Sequence, residues 1–374
     1  SAYIDRHRDE MLSLWEKIVS IESGTPDKEG VDRVGAVLKD ELESAGVETA
    51  VIPMERFGNL LTGVWNKEAA GQPIVMDTVF AKGTLEKNPF RIDENGNAHG
   101  PGVLDMKAGL VIVVYVLKAL HEYGYGKRPI RVVFAGDEEN GHRQTNAESE
   151  IRKLCAGCAA AFNFETGFID DGLVVGRKGS CRVTLTVHGV AAHAGNDPQR
   201  GRNAILEMAH KIIEIQKLHD FEHGLFVNVG VIQGGTVANA VAASCEVGID
   251  IRYDSFERLE ETLQAIKKIA ETRTVPDTTA DVTWTKPSTV MPVSEKNLEL
   301  FRHVQKTADM IGYGKLQTKK VGGWSDSCLA AAEGVPVVCA MGVKGANNHS
   351  MEEYAVAETL FSRAKLALAS IITF

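Results

Sequence analysis

Amphipathic stretches alternate with short apolar runs over the first half of the chain. Apolar positions recur at helical spacing over residues 8–20, 29–45 and 107–123, and compact apolar runs fall at 48–53, 59–65, 130–134 and 159–164. Helices alternating with short buried strands predict an α/β layer fold around a mostly parallel sheet. From about Lys178 the texture changes. Residues 181–188 alternate apolar and polar as a half-exposed strand, 202–217 read as an amphipathic helix, 226–232 and 244–253 as strands, 257–272 as a helix and 282–286 as a strand. That order of strand, helix, strand, strand, helix, strand is the split βαβ, ferredoxin-like pattern, an α+β unit that folds on one side of its own sheet. After Pro287 the first texture resumes, with a helix over 295–311, a turn at Gly322-Gly323, an apolar strand over 335–341 and a helix reaching Phe374. A chain of 374 residues is also long for one hydrophobic core. The expected organisation is a discontinuous domain of residues 1–177 and 288–374, interrupted by a smaller inserted domain of residues 178–287.

Composition narrows the classes. A net charge of −9 argues against a nucleic-acid groove, which needs a basic footprint to displace counterions. The longest apolar stretch, residues 110–117, is interrupted by Tyr115. It falls far short of the roughly 20 residues that cross a bilayer and reads as a buried helix, so neither nucleic acid nor membrane is an expected partner. Six cysteines spread over the chain do not make a disulfide scaffold and suggest a reducing, cytoplasmic compartment, although a processed secreted form would look the same at its start. Cys155 and Cys158 have CxxC spacing, but no second pair or paired histidine follows, and the segment reads as a helix end.

Candidate chemistry centres on Gly136-Asp137-Glu138-Glu139-Asn140, which follows the apolar run 130–134. Adjacent side chains of a strand point to opposite faces, so both glutamates can serve one site only where the strand has ended and the backbone has turned. They would then occupy a loop at the strand's C-terminal edge, where open α/β sheets place ligands; the bland reading is a solvated acidic turn. Met76-Asp77-Thr78-Val79, Gly102-Val103-Leu104-Asp105, Asn163-Phe164-Glu165-Thr166 and Asn348-His349-Ser350 also fall where strands of this sheet should end. Carboxylates gathered without lysines repel one another and protonate, so a cation is the economical explanation. Oxygen-rich ligands with imidazole suit zinc, with manganese or cobalt as substitutes.

In five separated motifs, MDTVF, HGPGVLDMKAG, GDEENG, NFETG and NHSMEEY, the chain resembles the co-catalytic di-zinc peptidases and aminoacylases, the family of acetylornithine deacetylase and the carboxypeptidases G. AAHAGNDPQRGRNAI, GGTVANAV and DIRY match within the inserted segment, so the resemblance covers nearly the whole chain. It implies a metal-binding catalytic domain at 1–177 and 288–374, and a lid and dimerisation domain at 178–287. Asp105 would bridge two zinc ions per subunit, about 3.5–4 Å apart. Glu139 and His349 would complete one ion's shell and Glu165 would bind the other. Glu138 would be the general base, polarising the metal-bridging water and passing its proton to the leaving amine. Asp77 would orient the family's first histidine ligand from behind, and a cis peptide often follows the bridging aspartate. His193 would reach into the partner's active site of a homodimer and stabilise the oxyanion. Arg252 would grip the substrate's terminal carboxylate with its planar fork, and Asn239 would accompany it.

The activity so implied is zinc-dependent cleavage of an amide bond in a small peptide or N-acyl amino acid, of glutamate carboxypeptidase or aminoacylase type. A dipeptidase or deacetylase of the same mechanism is the alternative, and a catalytically impaired binding protein is a third reading. That third reading rests on one departure. The family's first motif is His-x-Asp, and here Val75 stands two residues before Asp77, where valine cannot ligate zinc. Only two apolar residues separate Pro73 from Met76, too few for a buried strand of the usual about five or six residues. Either the ligand is lost, or a short stretch carrying the histidine is missing between Val75 and Met76. Trp324 also departs from the small residue usual in the family's glycine-rich loop, which would narrow the pocket. His99 and His142 read as structural. A two-carboxylate glycosidase would leave His349 and Asp105 unexplained, and no G-x-G-x-x-G follows the first strand to support a dinucleotide enzyme.

Overall fold

The computed structural model of the chain describes residues 2–79 and 88–374, and of residues 77–79 the backbone alone. The chain divides into two compact units. One comprises Ser1–Gly176, Val293–Val321 and Ser325–Phe374, and the other Arg177–Pro292 and Gly322–Trp324.

The first unit is built on a six-stranded sheet in the order Glu48–Ile52, Leu60–Trp65, Ile130–Ala135, Ile74–Val79, Ala160–Asn163, Val337–Val338. The last four strands run parallel and the first two form an antiparallel edge. Strands buried on both faces cannot alternate polar and apolar, and Ile130–Ala135 and Ala160–Asn163 are accordingly near-continuous apolar runs. The helix Ala108–Glu122 is buried from Ala108 to Leu117, because almost no position in it is polar. It packs against the C-terminal helix Glu358–Thr373.

One strand corrects the sequence expectation. The apolar count places Met76-Asp77-Thr78-Val79 in a loop after a strand too short to be stable. Instead, Ile74–Val79 spans six residues, parallel to Ile130–Ala135 along its whole length and to Ala160–Asn163 as far as Asp77. A strand between two established neighbours satisfies its backbone groups on both sides whatever its side chains, and that outweighs local polarity. Asp77 therefore lies level with Val133 and Asn163, inside the sheet and not at its edge. Its side chain lies outside the described residues. Val75 is fully buried, level with Arg131 and Ala161.

The second unit is a four-stranded antiparallel sheet in the order Phe226–Gly234, Ser244–Tyr253, Gly179–His188, Thr279–Trp284. Gly179–His188 alternates buried and part-exposed positions, the mark of a sheet with one covered face. Helices Ala204–Gln216 and Phe256–Glu271 supply that cover, Met208, Ile215, Leu263 and Ile266 sharing a core with Val183, Leu185, Val247 and Ile249. Asn203 and Ser255 start these helices by accepting backbone N–H groups of the first turn.

Close backbone packing sets the strand ends of the first unit. A Cβ added to Gly109 would meet the Phe164 carbonyl oxygen at 2.4 Å, and one at Gly342 would meet the Phe164 and Glu165 carbonyl oxygens at 2.6 Å. Backbone atoms cannot yield as a side-chain tip would. The substitution Gly109→Ala is expected to lower unfolding free energy by about 1–3 kcal/mol, the cost of overpacking. Denaturant midpoints measure this, and an unchanged midpoint would show that the approach has slack.

Candidate active site

Two loops and one turn at the C-terminal edge of the parallel strands bring acidic groups together. Ile130–Ala135 ends at Ala135, and a tight turn over Glu138–Asn140 follows, closed by Gly141 in the left-handed region. The backbone has therefore turned before the glutamate pair. Asp105 lies in a buried turn, Val103–Lys107, that leads into the helix Ala108–Glu122, and the Asp105–Met106 peptide is cis, as the resemblance implies. His349 comes from the segment before the short strand Tyr354–Val356.

Asp105, Glu139 and His349 each offer a ligand atom, and these atoms lie within 4.8 Å of one another. His349 Nε2 is 2.9 Å from Asp105 Oδ2 and 3.6 Å from Glu139 Oε1. The Asn348 amide donates to Asp105 Oδ2 at 3.1 Å and to Thr166 Oγ1 at 2.9 Å. Two carboxylates and an imidazole converging on one point are a donor set that fits zinc with an open coordination position. Glu165 is buried just past the end of strand Ala160–Asn163, its backbone N–H bound to Asn163 Oδ1. Asp105 and Glu165 would be left to hold a second ion, because the histidine position of the first motif is the buried Val75.

Electrostatics follow from the crowding. Burial raises the Glu138 carboxyl well above its ordinary range, and the charges of Glu165, Asp326, Glu139 and Asp105 push it further. His349 is raised to about 9, chiefly by its hydrogen bond to Asp105 and then by Glu139, against a smaller burial cost. Burial lowers Lys107 to about 8, and its ammonium donates to the Ile21 carbonyl at 3.0 Å.

His193, Asn239, Arg252 and Trp324 lie in the second unit, and His99 in the first. His193 is exposed, and its Nδ1 accepts the N–H groups of Gly195 and Asn196 at 3.1 Å each. An acceptor at Nδ1 leaves the hydrogen on Nε2, so the ring presents a donor outward. Asn239 is tied to the same segment through its carbonyl, which accepts from Ala194 N. Arg252 donates from Nε to Asp250 Oδ2 at 2.8 Å and from Nη1 to the Gly322 carbonyl at 3.4 Å. Trp324 binds Thr289 Oγ1 through its indole nitrogen. His99 pairs with Asp93 at 2.9 Å.

Sequence reasoning missed Glu353. Its Oε1 accepts the backbone N–H groups of Leu104 and Asp105 at 2.8 and 2.9 Å, and burial raises its carboxyl to about 7 although these bonds oppose the rise. The signal was present as the acidic pair Glu352-Glu353 just after His349.

An acidic and imidazole ligand set at the edge of an α/β sheet, beside a buried glutamate, defines a metal-assisted hydrolase. Residues 175–278 match the family model of the peptidase dimerisation domain. The chain is 30% identical over 375 residues to carboxypeptidase G2 of Pseudomonas sp. (strain RS-16), covering 96% of this chain and 88% of that protein. Its fold is similar to that of aminopeptidase PepT from Bacillus cereus ATCC 10987, with a TM-score of 0.83 and 20% identity over 98% of each chain. An M20 family metallo-carboxypeptidase from Sulfolobus solfataricus is similar at a TM-score of 0.75 and 15% identity, over 97% of this chain and 98% of that one. The chain belongs to the M20 family of metallopeptidases and aminoacylase-type hydrolases.

The substitution Glu353→Ala would leave two buried N–H groups beside Asp105 without an acceptor. It is expected to cost about 3 kcal/mol of stability and about 10-fold in metal affinity, with Glu353→Gln recovering part of both. Denaturant unfolding and chelator competition measure the two effects. Wild-type values for Glu353→Ala would show that the carboxylate is dispensable.

Proposed function

We propose that this chain is a metal-dependent amide hydrolase, of carboxypeptidase or aminoacylase type, that releases an amino acid such as glutamate from a small peptide or N-acyl conjugate. One observation carries the reading: ligand atoms of Asp105, Glu139 and His349 meet within 4.8 Å, in the same loop layer as a buried Glu138. Zinc is the ion this donor set suits, with manganese or cobalt as substitutes. When bound, it supplies Lewis-acid polarisation of the substrate carbonyl and of the attacking water.

The protein's own groups do the rest. Glu138 takes the water's proton on its carboxylate and returns it to the leaving amine, a role suited to a carboxyl whose pKa burial has raised. Glu139, next to it, serves as a ligand. His193, with its outward Nε2–H, stabilises the developing oxyanion in a partner's site across a homodimer formed through the inserted domain. Arg252 holds the substrate carboxylate with Asn239 beside it, and this favours carboxypeptidase or aminoacylase chemistry over aminopeptidase chemistry, which must hold a free amine. Asp77 would act only alongside a first-motif histidine. As the residues stand, Asp105, Glu139 and His349 would hold one ion, and a second would have only Asp105 and Glu165. A second full-affinity ion therefore requires a histidine-bearing stretch between Val75 and Met76.

Metal analysis coupled to hydrolysis of a panel of N-acyl amino acids and dipeptides tests this. The expected outcome is release of an acidic amino acid by metal-loaded protein, with one zinc per chain for this sequence and two if the gene encodes the extra stretch. The substitution Glu138→Gln should lower turnover by at least about 100-fold while metal content stays unchanged. Absence of hydrolysis across the panel, with metal bound, would favour a binding protein.

A further inference from the structure

A second buried polar cluster lies behind the glutamate turn. The His142 side chain is fully buried, with Nδ1 2.7 Å from Asp137 Oδ1 and Nε2 2.6 Å from Asp326 Oδ1. Asp137 stands immediately before Glu138, and Asp326 immediately before the short helix Ser327–Ala332. Thr145 donates to the other Asp137 oxygen, so that carboxylate is held on both sides. The backbone at His142 takes the left-handed conformation, φ 53°, unusual for a residue with a side chain.

Ionised carboxylates only accept hydrogen bonds, so between two of them an imidazole satisfies both contacts only with a hydrogen on each nitrogen. We infer that His142 is a positioning residue, an imidazolium that clamps the glutamate turn to the start of helix Ser327–Ala332 and cancels a carboxylate charge behind Glu138. The cluster supports this in two ways. Asp326 is among the charges acting on Glu138, so its neutralisation reaches the site. The clamp also spans 184 residues of sequence, tying the turn that carries Glu138 and Glu139 to an element remote in the chain. Raising of His142 to about 10, by Asp326 and then Asp137 against the cost of burial, agrees with the geometry. The inference rests on the proposed roles of Glu138 and Glu139.

The test uses the intact protein and cobalt as the probe. In protein labelled with ¹⁵N-histidine at pH 8, the His142 resonances, assigned by their loss in His142→Gln, should show both ring nitrogens protonated. A neutral tautomer would overturn the clamp. Chelator competition should then show cobalt affinity about 10- to 100-fold weaker in His142→Gln, because the uncompensated buried carboxylate of Asp326 displaces the turn that carries Glu139. That effect outweighs the electrostatic gain from losing a positive charge. Affinity is largely restored in the double variant His142→Gln/Asp326→Asn, where the two amides re-form the clamp without that buried charge. Wild-type affinity in the single variant, or no recovery in the double, would overturn the inference. Should His142→Gln not fold, the double variant alone decides, near-wild-type affinity supporting the charge balance and a 10-fold loss contradicting it. Wild-type protein that binds no cobalt would instead remove the metal-centre reading itself.

Discussion

Mutual repulsion among carboxylates held in one water-poor layer is the constraint on which the rest of the site depends. Asp105, Glu138 and Glu165 are buried away from the solvent that would screen their charges, and Glu139, more exposed, stands beside them. Such a layer persists only with positive charge inside it or protons on some of its members. The chain supplies one partner in His349, which lies against Asp105 and near Glu139. A metal ion at the same point would satisfy those ligands more fully, and binding would require His349 to give up its proton. The division of work between Glu138 and Glu139 follows from this constraint, since one carboxylate faces the cation and the other is left to burial.

The fold meets the constraint by anchoring the segments of Asp105 and Glu165 with hydrogen bonds. Glu353 collects the two N–H groups next to Asp105, Asn163 holds the backbone of Glu165, and Asn348 reaches both Asp105 and Thr166. Gly109 and Gly342 let the Phe164–Glu165 backbone lie against two other segments with no side chain between. These contacts place the carboxylates before any ligand arrives, and in a low-dielectric site preorganisation of that kind is worth more than flexible charge.

Much of this was legible in the sequence, for physical reasons that differ from element to element. The helix Ala108–Glu122 is plain because its apolar run is too long for a strand, and Gly179–His188 because its alternation has period two. Asp105, Glu139 and His349 were found through motifs in family order, and the structure brings them together. The strand Ile74–Val79 was misread because pairing with two neighbours, invisible locally, overrode the polarity of Asp77 and Thr78. Glu353 was passed over, and the bond from His142 to Asp326 went unseen, for a related reason. Their partners lie 249 and 184 residues away, and no local periodicity reports such distances.

The central claim is that Asp105, Glu139 and His349 form one metal centre. Anomalous diffraction at the zinc absorption edge, from crystals of the protein grown with zinc, tests it most directly. The account predicts a peak at about 2.0–2.2 Å from a carboxylate oxygen of Asp105 and of Glu139 and from a His349 ring nitrogen. A zinc peak ligated elsewhere, with none at these three residues, would contradict it.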